Sequence, residues 1–299
     1  MKKPLAILLT GRNGQVGYEL ERALAPLGEV TAFDSASFDL RDPRQMEAVL
    51  SKVRPDVIVN PAAYTAVDKA ESDRETAFTV NAAAPGFLAG KALELNALLV
   101  HYSTDYVFDG SKHGFYCEED VPNPFSVYGE TKLAGEQAIM QSGCRHLIFR
   151  TTWVYGIHGN NFAKTMLRLA RDRSELRVVA DQWGAPTPAS LLADVTAHVF
   201  RAHASDPGHF PGGLFHLVPQ GVTTWRDYAQ FVIDEARQRG MKLQVENITP
   251  ITTAEFPTPA RRPANSRLDS SKIRATYGLS LPDWRDPLRH SMGMLLRNL

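Results

Sequence analysis

The strongest candidates for proton-transfer chemistry are a tyrosine and a lysine, Tyr128 and Lys132, which stand four positions apart. If this segment is a helix, both side chains lie on the same face. A free phenol has a pKa of about 10 and is a poor acid near neutrality, but a nearby ammonium group stabilises the phenolate and lowers that pKa. The pair therefore predicts proton transfer, although an exposed tyrosine beside a solvated lysine would have the same spacing.

A second candidate group is the hydroxyl of Thr104, in the segment from Tyr102 to Gly110. This segment follows a predicted strand, and the active sites of parallel sheets open at the carboxyl ends of the strands. Thr104 could hydrogen-bond a substrate oxygen there, or it could simply cap a turn. The small residues between Asn60 and Thr65 also follow a predicted strand, and they would let a dinucleotide lie close to the backbone.

A glycine loop is formed by Gly11, Gly14 and Gly17, between an apolar run and a helical pattern. Glycine permits a tight turn and a close approach of the backbone to a pyrophosphate, and the N-terminus of the helix offers free N–H groups. The loop therefore predicts nucleotide binding, although a glycine-rich turn also occurs in other α/β proteins.

Two residues give opposite indications about the nucleotide. Asp34 lies about 20 residues after the loop, where an acidic residue usually binds the adenosine ribose and favours NADH. Arg12, inside the loop, could instead pair with a 2′-phosphate and favour NADPH. We therefore predict that both cofactors can bind.

The elements that position these residues alternate between short apolar runs and helical patterns. Strands are predicted at 5–10, 30–33, 57–60, 98–103 and 147–150, and helices at 16–27, 43–53, 75–96 with an interruption at Pro85, and 128–141. This alternation predicts an α/β fold, a Rossmann-type doubly wound parallel sheet.

After about residue 150 the strands become shorter, and Pro and Gly cluster in the sequence. Helical patterns remain at 162–173, 191–204 and 225–239 and near residue 290. We predict a nucleotide-binding domain at 1–150, joined by 190–217, and a smaller α/β substrate lobe that occupies most of 151–299 and is interleaved with it.

Composition excludes several classes of protein. The 299 residues are 43% apolar and contain 33 basic and 33 acidic residues, a balance that argues against bulk binding of nucleic acid or acidic membranes. Two cysteines argue against a disulfide framework or a structural zinc site. No run reaches the ~18 to 20 apolar residues of a transmembrane span, and the basic start at 1–3 leads into a predicted strand rather than a signal peptide. We expect a cytoplasmic protein.

Together the glycine loop, Thr104, Tyr128 and Lys132 resemble the extended short-chain dehydrogenase/reductase family. Longer strings narrow the resemblance to members that reduce a keto-sugar nucleotide: VDKAE at 67–71, HYSTDYVF at 101–108, FRTTWVY at 149–155, DQWGAPT at 181–187 and RPANSRLD at 262–269. The resemblance covers nearly the whole chain.

The resemblance implies that NADPH or NADH reduces the C4 keto group of dTDP-4-dehydro-β-L-rhamnose, which provides dTDP-rhamnose for surface polysaccharides such as O antigen. Tyr128 would protonate the keto oxygen, Lys132 would hold the nicotinamide ribose, and Thr104 would polarise the carbonyl. The implied substrate contacts are Thr104, Asp105 and Trp153. The implied cofactor contacts are Gly11, Gly14, Gln15, Val16, Gly17, Asp34, Asp39, Leu40, Ala63, Tyr64, Thr65, Tyr102, Tyr128 and Lys132.

Several alternatives stay open. An epimerase would use the same Tyr–Lys chemistry, and a regulatory subunit such as the β subunit of methionine adenosyltransferase would keep the fold without catalysis. Dehydratases carry Asp-Glu after the threonine, whereas Thr104 is followed by Asp105 and Tyr106. Arg262 could bind a diphosphate or form a salt bridge, and Gln182 has no assigned role. Mg²⁺ and a homodimer are implied by the resemblance alone, and no metal ligand is assigned.

Overall fold

The computed structural model describes residues 4–205 and 210–297. The basic start at 1–3 and part of the Pro- and Gly-rich stretch after residue 205 lie outside the described residues. The strands are β1 Leu5–Leu9, β2 Gly28–Ala32, β3 Val57–Asn60, β4 Leu98–Thr104, β5 Arg145–Thr151, β6 Val154–Tyr155, β7 Glu175–Val179, β8 Trp183–Gly184, β9 Thr187–Pro188, β10 Gly213–His216, β11 Thr223–Thr224 and β12 Asn247–Ile251.

The helices alternate with these strands. They are α1 Gln15–Leu24, α2 Pro43–Val53, α3 Val67–Ala70, α4 Arg74–Phe78, α5 Ala84–Glu94, α6 Val127–Gln141, α7 Phe162–Asp172, α8 Ala189–Ser205, α9 Trp225–Gln238, α10 Ser271–Tyr277 and α11 Arg285–Arg297. Short 3₁₀ turns follow β4 and β12, at Asp105–Val107 and Thr253–Glu255.

Six strands form one parallel sheet in the order β2-β1-β3-β4-β5-β10. The chain runs outward from β1 to β2 and then crosses to β3 on the other side, so the order reverses between β1 and β3. Ligands of doubly wound sheets bind at such a reversal, outside the carboxyl ends of the strands. The predicted α/β class and parallel sheet are confirmed.

Helices cover both faces of the sheet, which explains the continuous apolar runs in its strands. Ile7 and Leu9 of β1 point to the face covered by α1 and α8, and Leu8 between them points to the face covered by α5 and α6. This alternation follows from the period of two along a strand. Both layers of core are completed only when α8 and β10, from the second half of the chain, join the first half.

A second hydrophobic core lies among α7, α9, α11, β7 and β12. Leu167, Val232, Leu288 and Leu295 are fully buried in one part of it, and β7 pairs in parallel with β12 beside it. These elements form a smaller unit at 162–179, 225–251 and 285–297 in the sequence; α8 and β10 lie between the first two of these segments, and α10, which packs against the main core, lies between the last two.

The helical region predicted at 75–96 is continuous through Pro85, contrary to the expected interruption. Residues Thr79–Ala83 form a π-helical turn between α4 and α5, and Pro85 stands at the start of α5. Because proline lacks an N–H and crowds the preceding turn of an α-helix, the wider turn before Pro85 accommodates it. Such π turns are frequent at functional sites.

Candidate active site

A cleft of about 680 Å³ opens at the carboxyl edge of the main sheet. It collects the glycine loop, the ends of β3, β4 and β5, the start of α6 and two tryptophans. The sequence-predicted site residues that line it are Gly11, Gly14, Gln15, Val16, Gly17, Asp34, Ala63, Thr65, Tyr102, Thr104, Asp105, Tyr128, Lys132 and Trp153. Most of the candidates, separated by up to 142 positions in the chain, therefore face one cavity.

The glycine loop brings the backbone to the cleft in a way that larger residues would block. Gly11 has a φ of +61°, a region that favours glycine. A Cβ added to Gly17 would lie 2.0 Å from the carbonyl oxygen of Gly11, so α1 can start this close to the loop only with glycine there. No side chain caps α1 at Gly14. The first N–H groups of the helix therefore remain available to an anion.

Asp34 and Arg12 lie in different surroundings. Asp34 lines the cleft just beyond β2 and is half-buried; hydrogen bonds from the Ser37 hydroxyl and nearby N–H groups lower its pKa. The Arg12 guanidinium does not line the cleft and pairs with Glu21 of α1 at 2.8 Å. In this structure the acidic residue is the one that faces the nucleotide cradle.

Tyr128 lies on α6 as predicted, one residue after the helix begins, and Ser126 caps this helix by accepting a hydrogen bond from the N–H of Gly129 at 3.2 Å. Burial raises the pKa of Tyr128 to about 12, the negative charge of Asp105 adds to this, and a hydrogen bond with Thr104 opposes it. The prediction that Lys132 lowers the pKa of Tyr128 was therefore wrong, because the ammonium group of Lys132 is hydrogen-bonded to other residues.

Lys132 is the first member of a buried series of hydrogen-bonded polar groups. Its Nζ donates to the carbonyl of Tyr102 at 2.7 Å and lies 3.1 Å from Nε2 of His101. Nδ1 of His101 lies 3.2 Å from the amide of Asn60, whose Oδ1 accepts the hydroxyl proton of Thr10 at 2.7 Å. These buried side chains therefore connect the candidate lysine to the end of β1.

Burial also sets the charges in this series. It lowers the pKa of His101 well below its usual value, and the charge of Lys132 adds to the effect. Burial lowers the pKa of Lys132 to about 8, which the charge of Glu136 opposes. At neutral pH the imidazole is therefore neutral and the lysine mostly protonated.

Asp105 is a buried carboxyl group that lines the cleft. Its Oδ1 accepts a hydrogen bond from Thr104 at 3.1 Å, whereas Oδ2 is buried without a partner in the described part of the chain. Burial raises its pKa to about 6, and hydrogen bonds from Ser266 and Thr104 limit the rise. Such an oxygen is suited to accept a hydrogen bond from a ligand hydroxyl.

Three of the sequence candidates lie away from the residues that line the cleft. Asp39 forms a salt bridge with Arg41 at 2.7 Å, and Leu40 is buried in the core on the α5 side. Tyr64 directs its hydroxyl to Asp73 at 3.0 Å, while its backbone N–H donates to Asn81. Their contact with a cofactor stays a prediction.

Arg262 and Gln182 both have protein partners. Arg262 forms a two-pronged salt bridge with Asp68, at 2.9 and 2.7 Å, which corresponds to the second of the two roles considered for it. Gln182 is buried and bonds Trp225 and Thr253.

Sequence reasoning missed several residues that line the site or hold Lys132 from behind. His101 and Asn60 looked like strand residues, and only their polar character inside apolar runs could have marked them. Ser103 and Thr151 line the cleft with buried hydroxyl oxygens that have no partner among the residues described. Trp225 lines it from the second half of the chain, and nothing in its local sequence indicated this.

The cleft fits a nicotinamide dinucleotide. The loop offers a cradle that a Cβ would fill, the start of α1 offers N–H groups, and the inner end offers unpartnered hydroxyls of Ser103 and Thr151. In residues 4–205 and 210–297, no group of three His, Cys, Asp or Glu side chains is arranged to hold a metal ion. The same residues include no helix long and apolar enough to cross a membrane.

In extended short-chain dehydrogenase/reductases, a tyrosine four residues before a lysine faces a glycine-loop cleft in a doubly wound sheet, and this chain has that geometry. The family described as the RmlD substrate binding domain matches residues 5–296. The dTDP-4-dehydrorhamnose reductase of Escherichia coli (strain K12) is 50% identical over 293 residues, 97% of each chain. That of Salmonella typhimurium is 51% identical over 93% of this chain and 94% of its own length.

Among solved structures, dTDP-4-dehydrorhamnose reductase from Bacillus anthracis in complex with NADP is 33% identical, with a TM-score of 0.88 over 96% of this chain and 98% of that one. The chain belongs to the dTDP-4-dehydrorhamnose reductase family.

Proposed function

We propose that this chain catalyses the reduction of the C4 keto group of dTDP-4-dehydro-β-L-rhamnose by NAD(P)H, which gives dTDP-β-L-rhamnose and completes the synthesis of this activated sugar. The observation that carries the proposal is the single cleft in which Thr104, Tyr128 and Lys132 lie beside the glycine cradle. The relatives half identical to this chain carry the name of this reaction, which supports the choice of substrate.

Tyr128 acts as the proton donor to the C4 keto oxygen. Because its pKa is about 12, the phenol is protonated at neutral pH, which is the state required of an acid. Thr104 hydrogen-bonds Tyr128, and its single hydroxyl proton, which Asp105 accepts in this structure, turns to the keto oxygen and polarises the same carbonyl. When it is bound, the reduced nicotinamide supplies the hydride to C4.

Lys132 positions the cofactor. An ammonium group has three donors, and Lys132 directs one to the carbonyl of Tyr102 and another towards His101. The third is left for the hydroxyls of the nicotinamide ribose. The cradle for the rest of the dinucleotide consists of Gly11, Gly14, Gln15, Val16, Gly17, Asp34, Ala63, Thr65 and Tyr102.

Asp105 and Trp153 hold the sugar. The free Oδ2 of Asp105 accepts a hydrogen bond from a sugar hydroxyl, and the indole of Trp153 provides an apolar wall for the C–H groups of the ring. Both residues line the same cleft as Tyr128.

NADH and NADPH both serve as cofactor. Asp34 faces the cradle and suits the ribose hydroxyls of NADH. Arg12 can turn to a 2′-phosphate, because its pairing with Glu21 is a surface ion pair and such pairs contribute only ~0 to 1 kcal/mol. A cytoplasmic location stays a prediction from the sequence, and a homodimer stays a prediction from the family resemblance alone.

The test is oxidation of NADPH or NADH, followed by absorbance, with enzymatically made dTDP-4-dehydro-L-rhamnose and product identification by mass. We expect catalytic oxidation of both cofactors with formation of dTDP-rhamnose. Cofactor binding without oxidation would contradict the proposal and would favour another keto-sugar nucleotide or a binding subunit.

A further inference from the structure

Two tryptophan rings from distant parts of the chain stack in the wall of the cleft. The ring centroids of Trp153 and Trp225 are 3.7 Å apart and their planes differ by 19°. Both residues line the cleft that contains Tyr128. Trp153 has a φ of +45°, which is unusual for a bulky residue and persists only where the surroundings impose it.

Gln182 fixes the orientation of one of these rings. It is buried, and its Oε1 accepts a hydrogen bond from Nε1 of Trp225 at 3.1 Å. Its Nε2 donates to the hydroxyl of Thr253 at 3.1 Å, and that hydroxyl donates in turn to Asp181 at 2.6 Å. Since the Thr253 proton is used by Asp181, the threonine oxygen must accept, and the amide can be placed only one way round.

The same segment of chain also constrains the other ring. A Cβ added to Gly184 would lie 2.7 Å from Cε2 of Trp153, so a larger residue at this position would displace the indole. In this segment Gln182 therefore holds Trp225 by a hydrogen bond. Gly184, which has no side chain, leaves room for the indole of Trp153. Gln182 itself is not among the residues that line the cleft.

Resting on the proposed function, we propose that Gln182 is a positioning residue for the sugar nucleotide. It acts through Trp225 to hold Trp153 in the conformation that receives the sugar ring, and it thereby sets the affinity for substrate. The proton path through Thr104, Tyr128 and Lys132 has no contact with Gln182, so the rate at saturation does not depend on it.

The kinetic test compares Gln182→Met, Trp225→Phe and the double variant. Methionine keeps the length of the side chain and removes the acceptor, whereas phenylalanine keeps an aromatic ring and removes the N–H donor. We expect each single change to raise KM for dTDP-4-dehydro-L-rhamnose about 10-fold, with kcat and the Kd of NADPH within about 2-fold. The double variant should be no worse than the more affected single variant, because both remove the same hydrogen bond.

The control is Gln220→Met, at a glutamine whose amide donates to the carbonyl of Leu281 outside the cleft. It should leave KM unchanged. Effects on KM that multiply in the double variant, or a Gln182→Met enzyme with normal KM, would overturn the proposal.

A spectroscopic readout tests the positioning independently of turnover. Stacked indoles give an exciton couplet in circular dichroism, and Trp225→Phe defines the spectrum without it. We expect Gln182→Met to lose most of this couplet and Gln220→Met to keep it. An unchanged couplet in Gln182→Met would overturn the proposal. Failure of the unchanged chain to turn over the sugar nucleotide would refute the proposed function itself, whereas normal turnover with unaffected KM would refute only the role of Gln182.

Discussion

Burial shifts the pKa of three groups that line the cleft. It raises the pKa of Tyr128 to about 12 and that of Asp105 to about 6, and it lowers that of Lys132 to about 8. With these values the phenol is still protonated near pH 7, the carboxyl group mostly ionised and the amine mostly charged. These are the states needed for a proton donor, a hydrogen-bond acceptor and a ribose anchor.

The raised pKa of Asp105 predicts a pH dependence of substrate capture. Above pH 6 the carboxylate can accept a strong hydrogen bond from the sugar, and as the pH falls through 6 protonation weakens this acceptor. We expect kcat/KM to fall by up to about 10-fold per pH unit below 6, measured between pH 5 and 8.

Asp105→Asn is the matching variant, because its side chain does not titrate. At pH 7.5 we expect its kcat/KM to be about 10-fold below that of the unchanged chain, and the decline below pH 6 should be absent. A decline of the same size in Asp105→Asn would assign the titration to another group.

At this scale the sequence predicted which residues matter better than it predicted their properties. The spacing of Tyr128 and Lys132 correctly placed both on one helix that faces the cleft. The direction of the Tyr128 pKa was wrong, because it depends on burial and on the partners that Lys132 finds in Tyr102 and His101. The spacing of residues along the sequence indicates neither how deeply Tyr128 is buried nor which partners Lys132 binds.

The predicted cofactor site depends on a close backbone contact between helix α1 and the glycine loop. The start of α1 lies against the glycine loop, where the absent side chain of Gly17 leaves room for the carbonyl of Gly11. We expect Gly17→Ala to raise the Kd of NADPH at least ~10-fold, since a methyl group 2.0 Å from that oxygen must displace the loop or the helix. Fluorescence titration of the cofactor measures this.

Gly90→Ala is the matched control. Gly90 lies inside α5 and a Cβ there would meet no atom within 4 Å. Alanine is favoured over glycine in a helix by ~1 kcal/mol, so this variant should melt at the same temperature or higher and bind NADPH normally. Equal cofactor affinity in the two variants would show that the loop tolerates a side chain at position 17.

Element boundaries were predictable where local chemistry defines them. Helix α2 begins and ends as predicted, with Asp42 as its cap and Pro43 in its first turn. The π turn before Pro85 was not predictable from the sequence, because a proline inside a helical pattern normally indicates a break. Here Asn81, inside the π turn, bonds the backbone of Tyr64 on both sides, a tertiary contact that the sequence pattern does not contain.

The whole molecule places residues from both halves of the chain around one cleft. Helix α8 packs on α1, and β10 completes the sheet next to β5. Trp225 reaches the cleft from α9. The partner of each element depends on packing between segments far apart in sequence, so the contact of Trp225 with Trp153 was not predictable.

The central claim, that this cleft reduces a ketone with Tyr128 as proton donor, is tested most directly by the turnover of Tyr128→Phe. A suitable control is Tyr155→Phe, because the hydroxyl of Tyr155 is buried without a partner in the described part of the chain and lies outside the cleft lining. With NADPH and dTDP-4-dehydro-L-rhamnose, we expect Tyr128→Phe to lose at least ~10²-fold in kcat, the scale of a general acid, while its Kd for NADPH stays within about 2-fold and Tyr155→Phe keeps its activity. A Tyr128→Phe enzyme that forms dTDP-rhamnose at a near-normal rate would contradict the account.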